Sequence, residues 1–268
     1  MSSNSYSDVL ERISSAMAEA REVFARYTPG KVQAEYKAKH DPVTQADREL
    51  DAVLRKNLLR ANEGWFSEET KDDSSRLRHE RVWIVDPLDG TREFVEGIPE
   101  FCVAIAMVEH GRPVAGGICN PATSEEFLGS IDSGLTYNGA PSRASARASL
   151  QGATVLASRS ETKRGEWQPF ENAPFTVVPM GSVAYKLARV SAGLADITFT
   201  LTPKHEWDVA AGAALVLSAG GHVQTLENSD LICNQKNPLL SGLIACGRNV
   251  KDELIQFLSP HLQTAAGK

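Results

Sequence analysis

Residues 82–91 read VWIVDPLDGT, and this stretch limits what the chain can fold into more than any other. Four consecutive apolar residues, three of them β-branched, describe a strand buried on both faces. Pro87 stands between the two aspartates that follow. Asp86 and Asp89 then stand at the end of a buried element, where two carboxylates repel each other unless they share a proton or a cation. Gly90 permits close backbone approach, and Thr91 opens a helical stretch, TREFVEG, whose free amides and positive dipole end favour an anion. A sheltered site that needs positive charge is therefore expected at this strand end.

The chain is large enough to shelter it. With 268 residues, 42% of them hydrophobic, it can bury a large core as one domain or two apposed halves. A net charge of −6 argues against a nucleic-acid binder that works by neutralising phosphates, so no nucleic-acid polymer is expected as a partner. Cys102, Cys119, Cys233 and Cys246 lie far apart with no CxxC pair, and they read as reduced, buried thiols. No run reaches the roughly 18 to 20 apolar residues of a membrane span, and the start MSSNSYSD has no signal-peptide core. The expected address is the cytoplasm, away from membranes.

Apolar residues at Val9, Ile13, Met17, Ala20 and Phe24 predict an amphipathic helix over 8–27, with Ser7 as its cap. A polar loop, YKAKHDPVTQAD, leads to a second helix with Leu50, Val53, Leu54, Leu58 and Leu59 on its apolar face. GWFSEET reads as a short strand that leaves Glu68 and Glu69 at its exit, and nothing in the sequence says which of the two turns inward. FCVAIAMVE and PVAGGICN, joined at His110-Gly111, form the pattern of a hairpin, and EEFLGSI with GLTYNG forms another. The stretch PSRASARASLQ is the likeliest boundary by composition. It divides an N-terminal α+β half, residues 1–145, from a C-terminal α/β half, residues 146–268, in one unit. Mixed, largely antiparallel sheets with segregated helices predict an α+β or layered α/β architecture.

Glu68, Asp86 with Asp89, and Asp208 in EWDVAAG each stand where an apolar element meets a polar one. Carboxylates with a backbone carbonyl, and few histidines nearby, suit Mg²⁺ better than zinc. DGT also occurs in haloacid-dehalogenase-type phosphatases, but their nucleophilic aspartate would fall at Pro87.

The spacing DPxDGT resembles the inositol monophosphatase superfamily of Mg²⁺-dependent, lithium-sensitive phosphatases. The resemblance runs in order through DPVTQAD at 41–47, SEE at 67–69, WIVDPLDGT at 83–91 and EWDVAAGAALVLSAGG at 206–221. It implies the layered αβαβα sandwich of that superfamily, with Glu68, Asp86, Asp89 and Thr91 supplied by the first half and Asp208 by the second. It also implies that Glu68, Asp86 and the Leu88 carbonyl hold one Mg²⁺, that Asp86, Asp89 and Asp208 hold a second, and that a weaker third touches Glu68. Glu68 and Thr91 would direct a water at phosphorus, Asp47 would hydrogen-bond Thr91, and the Gly90 and Thr91 amides would hold phosphate oxygens. Lys37 or Lys39 would face that water, with family spacing favouring Lys37. No phosphoenzyme is expected. Many members are homodimers, and a homodimer is what the resemblance implies, although no interface is visible in the sequence.

The substrate implied is a small phosphate ester. TREF after the DG pair, a glutamate, Glu206, before Trp207-Asp208, and GSVAYK with Lys186 resemble the 3'(2'),5'-bisphosphate nucleotidase branch, which acts on adenosine 3',5'-bisphosphate. Arg92, Lys186 and Lys204 would meet its second phosphate, with Ser182 and Glu206 as further substrate contacts. Inositol monophosphatases usually carry an acidic residue seven positions before the last aspartate, and here that residue is Leu201. FVEGIP, in contrast, looks like the inositol branch, so inositol 1-phosphate, histidinol phosphate and sugar phosphates stay open. A non-catalytic metal- or phosphate-binding scaffold is the alternative of another class. Its signature would be a lost metal carboxylate or a lost Thr91, and none is lost.

Overall fold

The structure, a computed structural model, describes residues 6–36 and 42–265, with side chains through residue 262. In chain order its elements are α1 (Ser7–Phe24), β1 (Ala34–Tyr36), β2 (Pro42–Thr44), α2 (Gln45–Leu58), β3 (Gly64–Ser67), β4 (Arg81–Asp89), α3 (Thr91–Glu96), β5 (Cys102–Glu109), β6 (Arg112–Asn120), β7 (Glu125–Ser130), β8 (Gly134–Tyr137) and β9 (Ala140–Ser142). There follow β10 (Thr154–Ser158), α4 (Arg159–Lys163), β11 (Thr176–Met180), α5 (Val183–Ser191), β12 (Ile197–Thr200), β13 (Lys204–His205), α6 (Glu206–Ser218), β14 (His222–Thr225), β15 (Leu239–Leu240), β16 (Leu243–Cys246) and α7 (Lys251–Ala265).

Two sheets carry the architecture. β3 through β9 lie side by side in chain order, β3 parallel to β4 and the rest antiparallel. The second sheet has the order β11-β10-β12-β16-β14. α1 and α2 cover one face of the first sheet, and α5 and α6 fill the space between the two sheets. α4 and α7 close the outer face of the second sheet, where Leu254 and Leu258 join its core. The result is the expected αβαβα layering.

Strand alternation explains the layers. In β4, Val82 and Ile84 enter the central core while Trp83 and Val85 enter the core under α1 and α2. In β16, Leu243 and Ala245 face the central core while Ile244 and Cys246 face α7. Both faces of each sheet are apolar because both are covered. The middle of β6 shows how closely: a Cβ on Gly116 would stand 2.6 Å from the Ala211 carbonyl of α6, and one on Gly117 would stand 2.2 Å from the Ile13 side chain of α1. Only glycine lets two helices press on adjacent residues of one strand.

Two sequence expectations shift at the first helix. Tyr6, not Ser7, occupies the cap position, and the helix ends at Phe24 rather than reaching residue 27. The four cysteines are free and buried, as expected. Among the described residues no helix is long and apolar enough to cross a membrane.

Candidate active site

The break in β4 forms the site. Asp86 pairs with Ala104 of β5 and Asp89 pairs with Cys102, so three steps on one strand oppose two on the other. In a regular strand, residues three apart point to opposite faces; the bulge at Pro87-Leu88 turns both carboxylates to the same face. Ala104 and Cys102 both belong to the central core, which fixes that face as the one toward α6. The missing Pro87 amide is harmless at a bulge, and the Leu88 amide donates to Asp86 Oδ1 at 3.1 Å.

Asp208 reaches the same point from the second half of the chain. It sits in the first turn of α6, where its Oδ2 accepts from the His205 amide at 2.9 Å and the helix dipole favours its charge. One oxygen from each of Asp86, Asp89 and Asp208 lies within 4.8 Å of the others. Asp89 Oδ2 also accepts from Ser182 Oγ at 2.7 Å and from the Ala184 amide at 2.6 Å, so the α5 N-terminus is tied to the end of β4.

Electrostatics show what the trio needs. Burial pushes the carboxyls of Asp86 and Asp208 well above the usual carboxylate range, the charges of Glu68 and Asp89 push both in the same direction, and Asp208 adds to the rise at Asp86. Asp89 is raised by burial as well, against the opposing pull of Ser182, Ala184, Lys186 and Lys204. Three converging carboxylates, those of Asp86 and Asp89 buried and that of Asp208 half-buried, are a donor set suited to a hard divalent cation, and Mg²⁺ fits them.

These residues line a cleft of about 520 Å³, together with Glu68, Leu88, Gly90, Thr91, Arg92, Ser182, Lys186 and Lys204. Glu68 faces the cleft and Glu69 does not, which resolves the pair left open by the sequence. Ser67 and Thr70, on either side of them, are both bonded to Asp51 of α2, which anchors this turn. Thr91 Oγ1 lies 3.1 Å from Asp47 Oδ1 and 2.9 Å from the Leu88 carbonyl. Asp47 is itself buried, accepting from the Thr44 amide and hydroxyl at the start of α2. Gly90 has φ 94°, and a Cβ there would stand 2.7 Å from the Glu100 carbonyl.

Of the expected substrate contacts, one is corrected. Glu206 is fully buried and does not line the cleft; its carboxylate accepts from the Asn234 and Gln235 amides and pins that loop. Lys186 lines the cleft but already donates to the carbonyls of Ser182 at 2.7 Å and Met180 at 3.3 Å. Lys37 and Lys39 lie outside the described residues. Trp207 packs on Phe66 and stacks on His205, and it also borders the cleft.

Sequence reasoning missed Glu93, Ser158, Arg159 and Ser160 on the cleft wall. Ser158 ends β10 and Arg159 and Ser160 open α4, and the signal was a polar SRS cluster at the end of an apolar strand. Arg159 is held by two hydrogen bonds to Glu100, whose carboxylate also accepts from the Gly181 amide.

Comparison with known proteins agrees with this geometry. The model of the inositol monophosphatase family matches residues 5–263. An inositol-1-monophosphatase of Rhizobium meliloti is 32% identical over 225 residues, 81% of this chain and 82% of that protein. A fructose-1,6-bisphosphatase/inositol-1-monophosphatase of Thermotoga maritima is 30% identical, covering 85% of this chain and 86% of its own length. Among solved structures, the IMPase of Thermotoga maritima superposes with a TM-score of 0.81 at 27% identity, over 96% of this chain and 99% of that one. With the bulged strand, the carboxylate trio and these matches in agreement along its length, the chain belongs to the inositol monophosphatase family of metal-dependent phosphatases.

Proposed function

We propose that this phosphatase is a 3'(2'),5'-bisphosphate nucleotidase that hydrolyses adenosine 3',5'-bisphosphate to AMP and phosphate. The observation that carries the reading is the basic wall of the cleft. Arg92, Arg159, Lys186 and Lys204 all line it together with the carboxylate trio. One phosphate at the trio does not call for that much positive charge; a second anionic group does. Arg92 in particular is exposed and makes no hydrogen bond or ion pair among the described residues. Leu201 supports the same reading, because it packs against the outer core with Phe199 and Leu226 and offers no acceptor to an inositol hydroxyl.

In this reading Asp86, Asp89, Asp208, Glu68 and the Leu88 carbonyl would hold two Mg²⁺ ions and, weakly, a third. Bound Mg²⁺ supplies Lewis-acid charge stabilisation and a water of lowered pKa. Glu68, a cleft carboxylate outside the aspartate trio, takes the proton of the attacking water. Thr91 Oγ orients that water while Asp47 fixes the direction of the Thr91 hydroxyl. The Gly90 and Thr91 amides hold the phosphate oxygens.

A second reading, inositol 1-phosphate, is favoured by the names of the relatives and by FVEGIP after the central motif. Phosphate release from adenosine 3',5'-bisphosphate, inositol 1-phosphate, histidinol phosphate and fructose 1,6-bisphosphate, each with Mg²⁺ and with EDTA, separates the two. A preference for the nucleotide of more than about tenfold in kcat/KM, about 1.4 kcal/mol at the transition state, is the expected result. Preference for inositol 1-phosphate overturns it, and turnover of none of the four with Mg²⁺ favours the scaffold.

A further inference from the structure

Behind the basic wall lies a buried carboxylate that the mechanism does not use. Glu161, in α4, is 2% exposed. Its Oε1 accepts from Lys204 Nζ at 3.0 Å and from Thr200 Oγ1 at 2.7 Å, and its Oε2 accepts from Trp167 Nε1 at 3.3 Å. Although burial opposes the charge, Lys204, Thr200 and Trp167 together hold the carboxyl below its ordinary range, so it remains a carboxylate.

The arrangement is directional. Thr200 ends β12, Trp167 packs against Phe170 and Phe199, and Glu161 joins both to Lys204, which lines the cleft. Lys204 therefore has a fixed partner on its buried side, while its side chain keeps 15% exposure on the cleft side. A lysine ammonium has three donors; one is used by Glu161. A flexible lysine without that anchor would be drawn to Asp89 and Asp208, whose carboxyls already respond to its charge. The other cations of the wall differ: Lys186 is spent on backbone carbonyls, Arg159 is clamped by Glu100, and Arg92 is unanchored.

We infer that Glu161 is a positioning residue, which fixes Lys204 on the cleft wall as the recognition point for a second anionic group of the substrate. The inference rests on the reading of the cleft as one for a doubly anionic ester and names the pair that reads the second charge. No bond to substrate is assigned to Glu161 itself; it acts through Lys204.

The test compares each bisphosphate with its monoester: adenosine 3',5'-bisphosphate with adenosine 3'-phosphate, and fructose 1,6-bisphosphate with fructose 1-phosphate. Wild type, Glu161→Gln, Lys204→Gln and the double variant are assayed with Mg²⁺, and their thermal midpoints are measured alongside. The expected result is that each single variant narrows the bisphosphate-over-monoester ratio of kcat/KM about tenfold, chiefly by raising KM for the bisphosphate. The double variant is expected to lose no more than either single one, because one interaction is being removed. Lys204→Arg, which keeps the cation, should recover part of the discrimination, and should do so only when Glu161 is present. If wild type prefers a bisphosphate but the variants discriminate as it does, or lose activity equally on both esters, the inference fails and the proposed function stands. If wild type shows no preference for either bisphosphate over its monoester, both fail.

Discussion

Thr91 Oγ1 stands between two acceptors, Asp47 Oδ1 at 3.1 Å and the Leu88 carbonyl at 2.9 Å. It has one proton and cannot donate fully to both. Asp47 serves the fold as well as the site, because its Oδ2 closes the first turn of α2 through the Thr44 amide and hydroxyl. Asp47→Asn should separate these roles. The amide keeps the shape and an acceptor but loses the charge that directs the Thr91 hydroxyl, so kcat should fall by about 10². The thermal midpoint should move little, whereas Asp47→Ala should also cost about 1 kcal/mol of stability through the lost cap. Steady-state kinetics and denaturant unfolding on the two variants check both parts.

Metal removal should be visible without any substrate. The charges of Asp86, Asp89 and Asp208 oppose one another where the three carboxylates converge, and a ligand that binds only the folded state stabilises it by mass action. At a concentration about a hundred times its dissociation constant the gain is about 2.7 kcal/mol. The thermal midpoint of wild type should rise with added Mg²⁺ and fall back with EDTA. Asp89→Asn should lose at least about 10² in kcat and most of the Mg²⁺-dependent shift. Its midpoint in EDTA should equal or exceed that of wild type, since one of the mutually repelling charges is gone. A variant with full Mg²⁺ response would remove Asp89 from the ligand set.

Much of this site could be read in the sequence because its residues fall at the ends of strongly patterned elements. VWIV marks β4, the aspartates stand at its end, and α6 begins at Glu206 beside Asp208. What could not be read were consequences of pairing and of distant contacts. The spacing of Asp86 and Asp89 by itself puts them on opposite faces of a strand; only the register with β5 shows the bulge that brings them together. Glu206 precedes Trp207-Asp208 as a substrate contact would, yet amides from a loop near residue 235 claim its carboxylate. That loop has no periodicity from which such a contact could be foreseen. The anchoring of Asp89 by Ser182 and Ala184 spans more than ninety residues of sequence, beyond the reach of any local pattern.

Gly90 should tolerate no side chain. Its φ of 94° is disfavoured for other residues, and the atom nearest an added Cβ is the backbone carbonyl of Glu100, which cannot rotate away. Gly90→Ala should lower stability by about 1–3 kcal/mol. Because the same peptide positions Thr91, kcat should fall together with the midpoint. Thermal unfolding and kinetics on one preparation test the coupling, and an unchanged midpoint would show that the turn can relax.

Acid stability should depend on an ion pair far from the cleft. Glu63 accepts from both terminal nitrogens of the buried Arg12 guanidinium, and from Trp83 Nε1 at 2.9 Å. Burial by itself would raise the Glu63 carboxyl, but the bonds from Arg12 and Trp83 outweigh it and hold the group below its ordinary value of 4.5. A carboxyl with a depressed folded-state pKa adds stability that is complete above its unfolded value and is lost as pH falls through the folded one. Glu63→Gln should therefore cost about 3 kcal/mol at pH 7, where it leaves the Arg12 charge buried without a counter-ion. The difference from wild type should narrow as pH drops below 4.5, where wild type begins to protonate the same carboxyl. Urea unfolding of both proteins across that range measures the gap directly. A gap that stays constant with pH would mean that packing against Trp83, rather than charge, is what the variant lost.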